Sequence, residues 1–198
     1  MSEVTPTRSF VLELKDERRA MRDGYGFLDE KCLLLAGEIL RELDRYETLQ
    51  RSFFAAYATA TAALQAAVAR HGLHGLQVYP APDLTDAQVR PTLRTLMGVQ
   101  LQEASLRAGA LPAAAAFDAS AAAEASGRAF TALLEPATQL AAMAGNLERL
   151  SIEYRRSVRR ARALQDVLMP ELDRDVNEIE SRLEELEQEE AIWMRRQG

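Results

Sequence analysis

The chain has 198 residues, with 24 basic and 30 acidic side chains and a net charge of −6, so no overall positive field draws it onto nucleic acid or an anionic membrane. Its hydrophobic fraction of 47% is inflated by alanine, and aromatics make up only 6%, a balance that suits helices and disfavours a compact β fold. At this length it is one ordinary domain or a single elongated one whose core is a seam between helices.

The first predicted element is a long helix over residues 8–70. A start signal comes from Thr5, Pro6 and Thr7, with a threonine cap and a proline near the first turn. Heptads numbered from Val11 place Val11, Arg18, Tyr25, Cys32, Ile39, Tyr46 and Phe53 at a, and Leu14, Met21, Leu28, Leu35, Glu42, Leu49 and Ala56 at d. Only Arg18 and Glu42 are not apolar, and such 4,3 spacing marks a narrow seam. Residues 55–69 are alanine-rich and still helix-forming, after which Gly72 and Gly75 are expected to stop the helix. The connection, residues 71–128, carries Pro80, Pro82, Pro91 and Pro112, which break a continuous helix. Residues 97–102 (MGVQLQ) read as a short strand, one arm of a small hairpin. The alanine-rich stretch 113–125 carries no pattern that decides its fold.

A second long helix is predicted over residues 129–196. Its seam runs through Leu140, Met143, Leu147, Leu150 and Tyr154, then Leu172, Val176, Ile179, Leu183, Leu186, Glu190 and Trp193. Between these runs the phase slips through Val158, Ala161, Leu164 and Leu168, as an insertion into the heptads would make it do. Pro170 removes one helical hydrogen bond in the same stretch and is the candidate bend. Two helices of similar length imply an antiparallel hairpin. Aligned ends give paired residue numbers adding to about 204, which sets Cys32 near Leu172 and Val11 near Trp193. The expected fold class is therefore mainly all-α, a long antiparallel two-helix coiled coil in a single elongated domain with an irregular middle that holds a short β-hairpin.

Catalytic patterns are missing from the sequence. There is no GxxxxGK[ST] loop, and the Gly24–Gly26 pair sits inside a heptad run with no strand before it, so neither phosphate-binding pattern is supported. His71 and His74 lie among glycines with no HExxH string or cysteine cluster and read as a solvated loop, not a metal site. Cys32 at a seam position reads as a small buried hydrophobe, and a lone cysteine forms no internal disulfide. No cofactor or metal is expected. The first ten residues lack the apolar core of a signal peptide, and no run of about 20 uncharged apolar residues is present. These features point to a cytoplasmic chain without direct membrane insertion. Residues 171–190 hold ten acidic side chains and two arginines, the pattern of a solvated helix flank. Arg155, Arg156, Arg159, Arg160 and Arg162 crowd five guanidinium groups beside the phase slip, a candidate surface for an acidic partner.

Two segments carry a family resemblance: TPTRSFVLELKDERRAMRDGYGFLDEK at residues 5–31, and RRSVRRARALQDVLMPELDRDVNEIESRLEELEQEE at residues 155–190. Together they resemble the D subunit of V-type and A-type rotary ATPases and ATP synthases. The string Met97, Gly98, Val99 is similar to the family's middle segment, and CLLLA at residues 32–36 departs from the charged run usual there. The resemblance implies a non-catalytic central-stalk rotor. Its chain ends enter a ring of A and B subunits, its side binds the F subunit, and the C subunit links its other end to the membrane rotor ring. The complex is peripheral to the cytoplasmic face of a membrane. Arg8 and Lys15, with the five arginines, become candidate ring or stalk contacts. A generic coiled-coil scaffold or a flagellar-export-type stalk protein is the alternative from the helices alone.

Overall fold

The computed structural model describes residues 7–77, 79, 87–107 and 120–197. Helix α1 spans Arg8–Gln77, strands β1 and β2 span Gln88–Leu96 and Val99–Arg107, and helix α2 spans Ala121–Ala163. A π-helical turn, Leu164–Leu168, joins α2 directly to helix α3, Met169–Gln197. The chain divides into two compact units, Met1–Ala36 with Glu153–Gly198, and Gly37–Ile152. The mainly α fold, with its antiparallel pairing of N- and C-terminal helices and a central β-hairpin, agrees with the sequence reading.

In the terminal unit, Thr7 caps α1. Its Oγ1 accepts from the Phe10 amide at 3.3 Å and its carbonyl accepts from the Val11 amide at 3.1 Å. Thr5 and Pro6 lie outside the described residues. Leu14, Leu172 and Val176 form the buried cluster of this unit, with Phe10, Met21 and Ile179 packed around it. Burial of each such aliphatic side chain contributes about 1.5–3 kcal/mol.

The register differs from the sequence expectation. Ion pairs Arg8–Glu187 and Lys15–Glu180 set paired numbers that add to 195, and Lys31–Glu153 sets 184, instead of about 204. Leu172 therefore meets Leu14, not Cys32. Trp193 passes beyond Val11 and is 62% exposed. The physical reason is that the helices are not flush: the first residue of α1 already pairs with Glu187, so the last turns of α3 have no α1 residue opposite them. Leu186, an expected seam residue, is likewise exposed at 45%, and Leu168 at 40%.

In the central unit, the heptad a positions of α1 continue past Phe53 to Ala60 and Ala67, both fully buried. Gly72 has φ 67° and ψ 167°, a non-helical kink that glycine tolerates. Helix nevertheless resumes and runs to Gln77. His71 is thus helical and not in a solvated loop; its Nε2 lies 2.5 Å from Ser120 Oγ. Ser120 also caps α2, accepting from the Ala123 amide at 3.2 Å.

Strands β1 and β2 pair antiparallel from Leu96↔Val99 out to Gln88↔Arg107. Met97 and Gly98, with φ of 48° and 83°, form the two-residue turn of positive φ that matches strand twist. The hairpin therefore reverses at Met97, and the strand expected from residue 97 begins at Val99. Pro91 sits opposite Ala104, at a position facing away from the partner strand, so its missing N–H breaks no rung of the ladder. Pro80, Pro82 and Pro112 lie outside the described residues.

Candidate assembly surfaces

The two polar exceptions to the α1 heptads each have a partner. Arg18 Nη1 donates to Asp173 Oδ1 at 3.3 Å. Glu42, only 4% exposed, accepts from Asn146 Nδ2 at 2.8 Å.

Asn146 is the most connected side chain of the central unit. Its Oδ1 accepts from the Gln102 amide at 2.9 Å and from Arg149 Nη2 at 2.8 Å, and its Nδ2 donates to the Gln102 carbonyl at 2.9 Å. The amide thus pairs with both backbone groups of Gln102 as a neighbouring strand would. Four hydrogen bonds satisfy the whole group, which is 1% exposed. Further along the same edge, Glu135 Oε2 accepts from the Leu106 amide at 2.6 Å. Side chains of α2 thereby cover the outer edge of β2.

Arg94 pairs with Glu38, which also takes Arg41 at 2.6 Å. Burial pushes the Glu38 carboxyl up, but the two guanidinium groups outweigh it and hold the group below the ordinary carboxylate range. In the terminal unit Lys31 Nζ donates to Glu153 Oε1 at 2.6 Å, with the two side chains 14% and 21% exposed. That hydrogen bond holds the Glu153 carboxyl low against its desolvation, with Arg156 and Arg160 adding electrostatic support. Apart from Arg18, Glu42, Arg156 and Arg160, none of these network residues stood out in the sequence. The faint signals were charges at positions flanking the seam and an asparagine inside an apolar run.

The seven candidate contact residues separate into two groups. Arg8 and Lys15 are engaged within the chain, by Glu187 and Glu180. Arg155, Arg156, Arg159, Arg160 and Arg162 are exposed, and among the described residues none closes an ion pair. They occupy the outer faces of the turns whose inner face buries Ser157 and Ala161. Pro170 lies in the first turn of α3, directly after the π turn.

Cys32 borders a cleft of about 270 Å³ with Tyr25, Asp29, Tyr154, Val158 and Arg162 among its lining. Burial pushes its thiol up, Asp29 adds to this and Lys31 opposes it, so the thiolate a nucleophile requires is disfavoured. Among the described residues no group of three or more His, Cys, Asp or Glu side chains is placed to hold a metal ion. One stretch qualifies the sequence reading on membranes: α1 contains an 18-residue window of mean hydropathy 1.3, of which 11% is buried. The uncharged run 52–69 is half alanine, with Phe53, Phe54, Leu64 and Val68 as its large apolar side chains, so alanine supplies much of its hydropathy.

Paired terminal helices, a hairpin bound to a second helix pair and an exposed cationic band define a class of protein only in its fold: mainly helical, with long paired helices and a small β-hairpin. A profile of the ATP synthase D-subunit family matches residues 11–196, and the chain belongs to that family. It is similar to the V-type ATP synthase D subunit of Thermotoga neapolitana, 25% identical over 98% of this chain and 96% of the relative. The A-type ATP synthase D subunits of Methanopyrus kandleri and Pyrococcus furiosus are each 26% identical, over 99% and 98% of this chain and 86% and 92% of their own lengths. The chain is thus one component of a multisubunit V/A-type ATP synthase.

Proposed function

We propose that the chain is the non-catalytic central-stalk rotor of this complex, carrying torque between a ring of A and B subunits and the membrane ion-translocating rotor. The observation that carries the reading is the paired terminal helices, seamed by Leu14, Leu172 and Val176 and stitched by four cross-helix ion-paired segments at Arg8, Lys15, Arg18 and Lys31, within a family match that covers both helices. Twisting one helix against the other must break that packing, so rotation applied at one end is passed along. The five exposed arginines present an asymmetric charge to the ring, and ring members that meet it at different angles experience different contacts. The F subunit on the side of the shaft and the C subunit at the membrane-proximal end complete the stalk. Attachment to the cytoplasmic face then runs through those partners and not through insertion of this chain.

Copurification tests the reading. The chain should join A and B subunits in one complex, and replacing Arg155, Arg156, Arg159 and Arg160 with glutamate should weaken the complex or its ATPase rate. A ring that assembles and hydrolyses ATP identically with and without the chain would overturn it.

A further inference from the structure

The terminal helix pair contains one irregular turn, and its cause is legible. The Met169 amide donates to the Leu164 carbonyl, an i→i−5 bond. In an α-helix the amide of residue 170 would bond the carbonyl of Asp166, but Pro170 has no N–H, and its ring crowds that carbonyl. Widening the preceding turn by one residue relieves the clash. The flanking backbone is regular, with φ/ψ of −61°/−39° at Ala163 and −65°/−45° at Met169. This is a single inserted residue between two intact helices, the form in which π turns recur at functional places.

The surroundings leave the turn loosely held. None of its five residues is buried, and Val167 and Leu168 are 49% and 40% exposed. Opposite it stands Gly24, where even an added Cβ would only just reach Leu164 Cδ1 at 4.0 Å. The adjoining contact is a single 3.3 Å hydrogen bond from the Tyr25 hydroxyl to Gln165 Oε1, and the 270 Å³ cleft opens beside it. By contrast, the helix is clamped on both sides. Leu172, Val176 and the Asp173 and Glu180 ion pairs hold one flank, and Ser157, Ala161 and the Lys31–Glu153 pair hold the other.

We propose that Leu164–Leu168 is a torsional joint, at which the C-terminal helix twists under load by exchanging i→i−5 for i→i−4 hydrogen bonds while the clamped flanks keep their partners. Pro170 pins the joint from its C-terminal side, since the bonding pattern cannot move through a residue without an N–H. Gly24 and the cleft supply the space into which Leu164 and Gln165 move. The mechanical consequence, a point of elastic storage in a shaft, rests on the rotor reading; the joint itself does not.

The test uses the full-length chain and two variants. Deleting Asp166 in a Pro170→Ala background removes the inserted residue without returning the proline ring to a four-residue turn, and Pro170→Ala alone restores the missing donor. In the wild-type chain the amides of residues 166–169 should exchange with solvent at least roughly tenfold faster than those of residues 172–176. The deletion should erase that difference, keep the helix content and raise Tm. Pro170→Ala should slow exchange in the turn with the fold unchanged. Equal protection in the wild-type chain, or turn exchange untouched by Pro170→Ala, would overturn the joint. So would loss of helicity or a lowered Tm on deletion, because the extra residue would then be needed for register. In a complex that turns with the wild-type chain, the deletion should narrow the thermal angular fluctuations of a bead on the shaft; unchanged fluctuations would refute the mechanical role. Failure of the wild-type chain to assemble would strike the rotor reading alone, since the exchange measurements stand without it.

Discussion

Lys31 and Glu153 illustrate how one side-chain pair sets both stability and pH response. The pair is largely shielded, so removing the cation strands a carboxylate at a half-buried position. Lys31→Met should lower unfolding free energy by about 1–3 kcal/mol, measurable by urea denaturation. Glu153 and Glu38 both have depressed folded-state pKa values. Each contributes stability that is present above the unfolded carboxylate value of about 4.3 and is lost as pH falls through the lower folded value. Tm of the wild-type chain should therefore drop in acid below that value, and the Lys31→Met chain should show a shallower drop. At Asn146 the stake is larger, because four hydrogen bonds to three residues depend on one amide. Asn146→Leu should cost about 2–4 kcal/mol, as Gln102 and Glu42 lose their buried partners, and hairpin amides should exchange faster. A Tm unchanged by that substitution would contradict the hub role.

Elements were readable to differing degrees. Heptads from Val11 to Phe53 all proved buried or half-buried, because a periodic apolar stripe depends only on helix geometry, which the sequence encodes locally. The phase slip through Leu164 and Leu168 marked the place of the π turn for the same reason. The register was not legible: it is decided by which of many similar leucines meet and by ion pairs such as Lys15–Glu180, a choice among near-equivalent alignments. Asn146, Glu38 and Glu135 went unread because their significance lies in strand edges that approach them only in three dimensions. The register gives a direct check. In a Cys32→Ser background, Leu14→Cys with Val176→Cys should form an intramolecular disulfide under mild oxidation, whereas native Cys32 with Leu172→Cys should not. At the hairpin, Gly98 holds φ 83°, so Gly98→Ala should destabilise by about 1–2 kcal/mol and be seen as a lowered Tm.

At the scale of the whole molecule, the family match over residues 11–196 takes in nearly all of the two segments at residues 5–31 and 155–190, and both point to the same assembly. What the sequence offered on function came from those strings and not from the coiled coil, since a seam of leucines serves scaffolds and rotors alike. Partner contacts were least legible, because a contact is a property of two surfaces and this chain holds one of them. The exposed arginines narrow the search. They are free of ion pairs among the described residues, whereas Arg8 and Lys15 are spent on α3, so ring contacts should depend more on Arg155, Arg156, Arg159 and Arg160 than on Arg8. Single-molecule rotation is the measurement closest to the central claim. With the A/B ring immobilised and a bead fixed to this chain, added ATP should drive stepwise rotation in one direction that stops when ATP is removed; a ring that hydrolyses ATP while the bead on the bound chain stays still would contradict the account.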